Sequence, residues 1–208
     1  MSGQSAAIEI LERDRRRVVV RRTTRETTVS LTLDLDGSAT AKVRTGIGFF
    51  DHLLSTLAHH ALFDLAIETN GDLQVDDHHT VEDTALVLGS AFAEAIGDRA
   101  GIARFGDASV PMDEALGFAA VDVGGRSYAV IDLPFHGERA GELTLQNVEH
   151  ALQAFAQNAG ITLHLRAAGR NDHHIAEAAF KSLARALRAA VATDPRRSGV
   201  ASTKGSLG

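Results

Sequence analysis

Two short segments of the sequence each carry adjacent histidines followed by a glutamate. They are "DHHTVED" (77–83) and "DHHIAEA" (172–178), which supply His78, His79 and Glu82, and His173, His174 and Glu177. On a helix, the first histidine and the glutamate of each set lie four positions apart on nearly the same face, where both can bind one cation. The second histidine projects about 100° away and does not easily reach that cation. The spacing therefore predicts two metal ions, with each histidine pair contributing one residue to each ion.

Further ligands are expected from an internal repeat of the chain. His173 follows His78 by 95 residues and His150 follows His52 by 98, and a nearly constant offset indicates tandem duplication. We therefore expect His52 and His150, each on the first helix of its half, to complete the sites. Three imidazoles and a carboxylate would leave room for an exchangeable ligand at each ion. These donors, without sulfur, suit Mn, Fe, Co, Ni or Zn and do not choose among them.

Acidic residues beside these histidines are candidates for orienting the rings. The residues that directly precede the four ligand-bearing positions are Asp51, Asp77, Glu149 and Asp172. For a single histidine pair, the ordinary interpretation would be a helix start with a solvated glutamate. Two pairs at one period, each with its glutamate, favour metal binding instead. His60 is close enough to His52 in sequence to reach the same cleft.

The apolar pattern predicts an α/β unit that occurs twice. Alternation in "TTVSLTLDLDG" predicts a strand that ends at an Asp–Gly turn, and "SATAKVRTG" is expected to be the returning strand of that hairpin. Helical spacing of apolar residues in "GFFDHLLSTLAHHAL" predicts the first helix, and Gly160 is placed to end the third. Each half is predicted to contain about three strands, a helix, a strand and a helix, with the helices on one face of each sheet.

Composition excludes several classes of protein. The chain is 44% hydrophobic and 23% charged, which is typical of a globular protein. It has no cysteine, so disulfides and thiolate ligands are excluded and a cytoplasmic location is the simplest expectation. A net charge of −6 argues against nucleic acid as a partner. The sequence contains no apolar run of about 20 residues, so we expect no membrane partner.

The motifs closely resemble those of the imidazoleglycerol-phosphate dehydratase family, the lyases of histidine biosynthesis. The matching segments include "TRETTVSLTLDLDG", "TGIGFFDHLL", "DDHHTVEDTALVLG", "GIARFGDASVPMDEAL", "NDHHIAEAAFKSLARAL" and "STKG". They extend from about residue 16 to 205, in an order and spacing that make the resemblance specific.

The resemblance implies an α+β fold, a tandem duplication of a β-β-β-α-β-α unit of the ribosomal protein S5 domain 2-like type. We expect a single domain over 1–208, with repeats of approximately 9–100 and 101–195 and a substrate-binding tail at 196–208. The resemblance also implies a homo-oligomer of 24 subunits, with active sites at subunit interfaces and two Mn²⁺ per active site. One ion would be held by His52, His79, His173 and Glu177, and the other by His78, Glu82, His150 and His174.

The resemblance further implies a small, phosphorylated imidazole as substrate. The residues expected near its phosphate are Arg104, Arg126, Lys181, Ser202, Thr203 and Lys204. The residues expected to contact the rest of the substrate are Glu26, His52, His60, His78 and His173. Glu26, in "TRETT", matches the family's acid/base candidate, and Glu177 and His79 are the other catalytic candidates. Without the resemblance, Glu26 would be interpreted as an exposed strand residue and the arginines as surface charge.

The expected reaction converts D-erythro-imidazoleglycerol phosphate to imidazoleacetol phosphate and water. The C–H bond that breaks has no adjacent carbonyl, so the imidazole must supply electrons, and two metals would hold it as imidazolate. A dinuclear metal-dependent hydrolase is the alternative, since the same ligands can activate water for attack on an ester or amide. A metal store or a metal-dependent assembly protein is the third class. The phosphate-binding motifs and Glu26 weigh against both.

Overall fold

The structure of the protein is a computed structural model that describes residues 7–207. Residues 1–6 and 208, which the predicted domain of 1–208 includes, lie outside the described residues. In chain order the elements are β1 (Glu9–Asp14), β2 (Arg17–Thr23), β3 (Thr27–Asp34), β4 (Ala41–Arg44), α1 (Gly48–Ala61), β5 (Asp64–Gly71), α2 (His78–Ile96), β6 (Phe105–Met112), β7 (Ala115–Asp122), β8 (Tyr128–Asp132), β9 (Arg139–Ala140), β10 (Leu143–Thr144), α3 (Leu145–Ala159), β11 (Thr162–Ala168) and α4 (Asp172–Val191).

The two main sheets repeat one arrangement, which confirms the predicted duplicated α+β fold. The first has the order β1-β2-β3-β5-β4 and the second β6-β7-β11-β8. In both sheets the last pair is parallel (β4 with β5, β8 with β11), and the pairs before it are antiparallel. The strand β1 and the small β9–β10 ribbon are additions to the repeated unit that the apolar pattern did not predict.

The prediction that "SATAKVRTG" returns beside the preceding strand was wrong. Its strand, β4, pairs in parallel with β5 at the edge of the sheet, while β3 pairs with β2 and β5. The carboxylate of Asp64 accepts from the backbone N–H groups of Ser38 and Thr40, and so holds the connection along this edge. Alternation within one segment predicts a strand but not its partner, because the partner is chosen by non-local contacts.

The helices interlock the two halves. Helix α2 packs on β2 and β3 of its own half and also against α3 of the second half, whereas α4 packs on β6 and β7 and also against α1 of the first half. Close approach of α4 to its sheet needs glycine, since a Cβ at Gly117 would lie 2.2 Å from the Ala178 carbonyl oxygen. These helix–helix contacts between the halves place the N-terminal halves of α1 and α4 together, and those of α2 and α3 together.

Local signals account for the helix ends near the histidines. Asn171 precedes α4 with an extended backbone, and its side chain accepts a hydrogen bond from the His173 backbone N–H, as an N-cap does. Gly160 ends α3 with φ of 65°, a left-handed conformation that glycine adopts without steric cost, as predicted. Among residues 7–207, no helix combines the length and the apolar character that a membrane crossing requires.

Candidate active site

The first histidine–glutamate trio joins α1 to α4. The Nε2 atoms of His52 and His173 lie 2.8 and 2.9 Å from the same carboxylate oxygen of Glu177. The ring of Phe49 packs beside both imidazoles, with its centroid 4.7 Å from that of His173. Glu177 is only 7% exposed, but both histidines are exposed. The trio is therefore a carboxylate at the base of two imidazoles that open to solvent.

The second trio joins α2 to α3 in the same way. The carboxylate of Glu82 lies 3.5 Å from His78 Nε2 through one oxygen and 3.2 Å from His150 Nε2 through the other. The two imidazole rings are stacked, with centroids 4.8 Å apart and planes 21° apart. Each trio thus contains one histidine from an adjacent pair, the glutamate four residues later, and the histidine that the repeat adds from the other half.

The donor atoms of both trios fit a metal ion. In each trio the three ligand atoms lie within 4.8 Å of one another. His150 Nε2 is buried and makes no well-oriented hydrogen bond among the described residues, although the Glu82 carboxylate lies 3.2 Å away, and a nitrogen placed in this way suits a cation. Imidazole and carboxylate are ligands of divalent first-row metals. The residues present are therefore able to hold one ion in each trio.

Glu177 is already held as a carboxylate by its neighbours. Burial opposes its ionisation, but hydrogen bonds from Lys181, His52 and His173 outweigh burial and lower the pKa of Glu177 to about 2. Lys181 contacts the second oxygen of this carboxylate, while His52 and His173 share the first. Both oxygens are therefore occupied by donors.

The second histidine of each pair belongs to neither trio. His79 Nδ1 lies 3.0 Å from the carboxylate of Asp72, and its Nε2 lies 4.0 Å from Glu26. His174 Nδ1 lies 2.7 Å from the carboxylate of Glu114. The hydrogen bond to Asp72 raises the pKa of His79, and that to Glu114 raises the pKa of His174. In both cases a carboxylate orients the ring and leaves Nε2 directed away from it.

Sequence reasoning missed these orienting carboxylates. Glu114 is the counterpart of Glu26, since each directly precedes the strand that follows a hairpin turn, and this shared position is the signal that could have found it. The two play different parts. Glu114 is bound to His174 and to the backbone N–H groups of Arg170 and Asn171. Asp72 takes the equivalent bond to His79, so the Glu26 carboxylate is left half-exposed.

Three of the four acidic neighbours predicted to orient the rings, Asp51, Asp77 and Asp172, have other partners. Asp51 accepts from the backbone and hydroxyl of Thr45, and therefore closes the loop before α1. Asp172 accepts from the backbone N–H groups of residues 136 and 137. Asp77 acts only indirectly, through Asn147. Adjacent residues on a helix project about 100° apart, so the residue before a ligand rarely faces the same ring.

A separate cleft gathers most of the residues expected near the phosphate. Its lining includes Arg104, Arg126, Ser202, Thr203 and Lys204, around a volume of about 350 Å³. Arg104 binds both carboxylate oxygens of Asp122 and the Ala201 carbonyl, which ties the tail to the second sheet. Its φ of 73° is left-handed, a conformation that costs a non-glycine residue about 1–3 kcal/mol and is typical of functional sites.

Lys181 and His60 lie away from this cleft, beside the first trio. The ammonium of Lys181 contacts Glu177 and lies 3.1 Å from the sulfur of Met112. Burial, and then the positive charges of His59, Lys181 and Arg185, lower the pKa of His60. Arg104 precedes the first residue of β6 and Met112 is its last. The Lys181 ammonium therefore lies beside the residue at one end of β6 and Arg104 lies at the other end, and at about 3.3 Å per residue this strand is about 23 Å long.

Comparisons with known proteins match this chain to a single family. A sequence model of the family described as imidazoleglycerol-phosphate dehydratase matches residues 45–187. The chain is 54% identical over 188 residues to the protein of that name from Methanoculleus marisnigri, with 90% of this chain and 97% of that relative covered. It is 54% identical over 190 residues to the one from Acidiphilium cryptum, with 90% and 97% covered.

Solved structures of the same name share the fold. The Staphylococcus aureus imidazoleglycerol-phosphate dehydratase is similar with a TM-score of 0.77 at 32% identity, over 85% of this chain and 98% of that one. The Pyrococcus furiosus structure is similar with a TM-score of 0.77 at 34% identity, over 90% and 99%.

Proposed function

The chain belongs to the imidazoleglycerol-phosphate dehydratase family, and we propose from this premise how its residues carry out the reaction. It is a carbon–oxygen lyase of L-histidine biosynthesis, which dehydrates imidazoleglycerol phosphate to imidazoleacetol phosphate. The observation that supports this site is the pair of histidine–glutamate trios, each built from both halves of the chain: His52–His173–Glu177 and His78–Glu82–His150.

Two Mn²⁺ ions per active site are proposed, one for each trio. His79 and His174 stand outside both trios of their own chain, and their orienting carboxylates direct Nε2 outward. We propose that His79 completes a trio of the His52 type and His174 one of the His78 type, each in a neighbouring subunit. When bound, the ions supply Lewis acidity that favours loss of the N–H proton of the substrate's ring.

Glu26 is proposed as the acid/base residue. Its side chain is about half exposed and lies 4.0 Å from His79 Nε2, beside the place where the ring would bind. In this role Glu26 accepts the proton from C2 of the glycerol chain while the hydroxyl on C3, the carbon that carries the ring, leaves as hydroxide. That proton and the hydroxide make up the released water, and the enol that results tautomerises to the ketone. Glu177, the other carboxylate candidate, has both oxygens occupied by donors and is better suited to hold a metal. His79 acts as a ligand beside Glu26.

The phosphate is proposed to bind in the tail cleft, together with Lys181 of another subunit. Only three carbons separate the substrate's ring from its phosphate oxygen, a span far shorter than β6, which is about 23 Å long and has Arg104 at one end and Met112, the contact of Lys181, at the other. The substrate is therefore too short to reach from one end of this strand to the other within one chain. This distance supports an active site assembled from several copies, and the resemblance suggests 24. A cytoplasmic location stays a prediction, which cell fractionation would check.

The test is direct incubation of the Mn²⁺-loaded protein with imidazoleglycerol phosphate. We expect formation of the ketone phosphate, loss of that activity on chelation, and its loss in Glu26→Gln with metal content unchanged. Inorganic phosphate released from the same substrate, without ketone, would instead support the hydrolase alternative. Ketone production at the wild-type rate by Glu26→Gln would remove Glu26 from the acid/base role.

A further inference from the structure

A buried asparagine connects the N-termini of α2 and α3 at the second trio. Asn147 is 4% exposed and lies one turn before His150 on α3. Its Oδ1 lies 3.2 Å from His78 Nδ1, and its Nδ2 lies 3.1 Å from an oxygen of Asp77, which is 6% exposed. The carboxylate of Asp77 also accepts from the backbone N–H and hydroxyl of Thr144.

The donor and acceptor of each hydrogen bond in the series Asp77–Asn147–His78 can be assigned by starting from Asp77. An ionised carboxylate only accepts, and Thr144 already supplies two donors to Asp77. Asn147 must therefore present its NH₂ group to Asp77, which turns its carbonyl oxygen toward His78. An amide oxygen also only accepts, so the Nδ1 of His78 has to carry a proton. A neutral imidazole with a proton on Nδ1 has its lone pair on Nε2, the atom that faces Glu82 and His150.

We propose that Asn147 is a positioning residue, which uses the Asp77 carboxylate to hold His78 in the tautomer whose Nε2 lone pair points into the second trio. The tautomer is set in the protein without metal, and its use in metal binding rests on the proposed function. Without Asn147, both tautomers of His78 are accessible and the one with a proton on Nε2 must rearrange before a cation binds.

Among residues 7–207, no amide side chain occupies the corresponding place in the first trio. The residue that corresponds to Asn147, 98 residues earlier by the offset that relates His52 to His150, is Phe49. Its ring packs on His173 at 4.7 Å and on His52 at 6.1 Å, and it offers no acceptor to either. Loss of Asn147 is therefore expected to affect one of two metal sites and to leave the other as an internal reference.

The first measurement is the tautomer of His78. Magic-angle-spinning NMR on metal-free protein with ¹⁵N-labelled histidine, at alkaline pH where histidines are neutral, separates protonated from unprotonated ring nitrogens even in a large assembly. His78→Gln identifies the His78 signals by difference. We expect a proton on Nδ1 in the wild type and a mixture of tautomers in Asn147→Leu. A wild-type His78 with its proton on Nε2 overturns the proposal.

The second measurement is Mn²⁺ titration followed by electron paramagnetic resonance. Asn147→Leu is expected to weaken one of two ions about 10–100-fold, the effect typical of losing the partner that orients a ligand. Asn158→Leu is the matched control, because Asn158 lies on the same helix and, within residues 7–207, its side chain donates to the Ala154 carbonyl of that helix and to no metal-site residue. Equal weakening of both ions, or by both variants, would indicate general damage to α3 and contradict the proposal. A wild type that binds no Mn²⁺ would refute the proposed function, while the NMR result would still decide the tautomer.

Discussion

Replacement of Asp83 by asparagine is expected to lower the free energy of unfolding by about 3–5 kcal/mol. Asp83 lies on α2 directly after Glu82, and its carboxylate is 2.5 Å from the guanidinium of Arg22 on β2. Both side chains are nearly buried, with 13% and 11% of their surface exposed. Asp83→Asn takes from the Arg22 guanidinium a carboxylate charge 2.5 Å away in a poorly solvated place, and the loss of such a nearly buried charge pair sets the magnitude.

The matched control is Glu94→Gln, on the same helix. Glu94 pairs with Arg13 at 3.3 Å, but these side chains are 37% and 48% exposed. Such a surface pair contributes no more than about 1 kcal/mol. Guanidinium unfolding of the wild type and both variants, at one protein concentration and without metal, gives the comparison. Equal losses of stability in Asp83→Asn and Glu94→Gln would refute the argument from burial.

The same residue has a second consequence for the active site. The hydroxyl of Thr27, the residue after Glu26, donates to the other oxygen of Asp83. A double variant, Arg22→Met with Asp83→Leu, removes both charges and is expected to recover much of the lost stability. The dehydration rate of this double variant should still be below that of the wild type, because Thr27 has lost the Asp83 acceptor that holds the Glu26 turn against α2. A double variant with wild-type activity would show that this contact is structural only.

Four further outcomes are expected. Deletion of 201–208 should abolish most turnover with metal content near normal, and full activity would leave the tail without a role in the cleft. His78→Ala and His79→Ala should each lower the occupancy of a different metal ion, as measured by anomalous diffraction. His173→Ala should resemble His79→Ala, and His174→Ala should resemble His78→Ala. Finding His78 and His79 on one ion would contradict the division of each pair between two ions. Hydrogen bonds to carboxylates raise the pKa of His79 and His174. As the pH falls, protons should therefore compete with Mn²⁺ for these imidazole nitrogens, and the Mn²⁺ affinity measured by titration should decrease. Light scattering should show a smaller species after chelation, and an unchanged mass would exclude metal-linked assembly.

Several features of the site could be predicted from short stretches of sequence. A histidine and a glutamate four positions apart on a helix must lie on one face, so His78 with Glu82 and His173 with Glu177 follow from helix geometry. Adjacent histidines cannot share that face, so the second histidine of each pair, His79 or His174, points away from the glutamate that lies four positions after the first. The repeat offset found His52 and His150 because duplication places equivalent residues in equivalent elements. These predictions depend only on local geometry and on self-similarity.

Other features were decided by contacts between elements distant in sequence. The packing of helices across the two halves, which brings His52 to Glu177 and His150 to Glu82, depends on how α1 and α3 pack. The same holds for Asn147 and for the Asp83–Arg22 pair, whose partners are 69 and 61 residues away. No periodicity predicts such pairs, because hydrogen-bond direction and burial are set only when two surfaces meet. The sequence therefore indicated which residues are candidate metal ligands, and the tertiary structure decided which of them face one another.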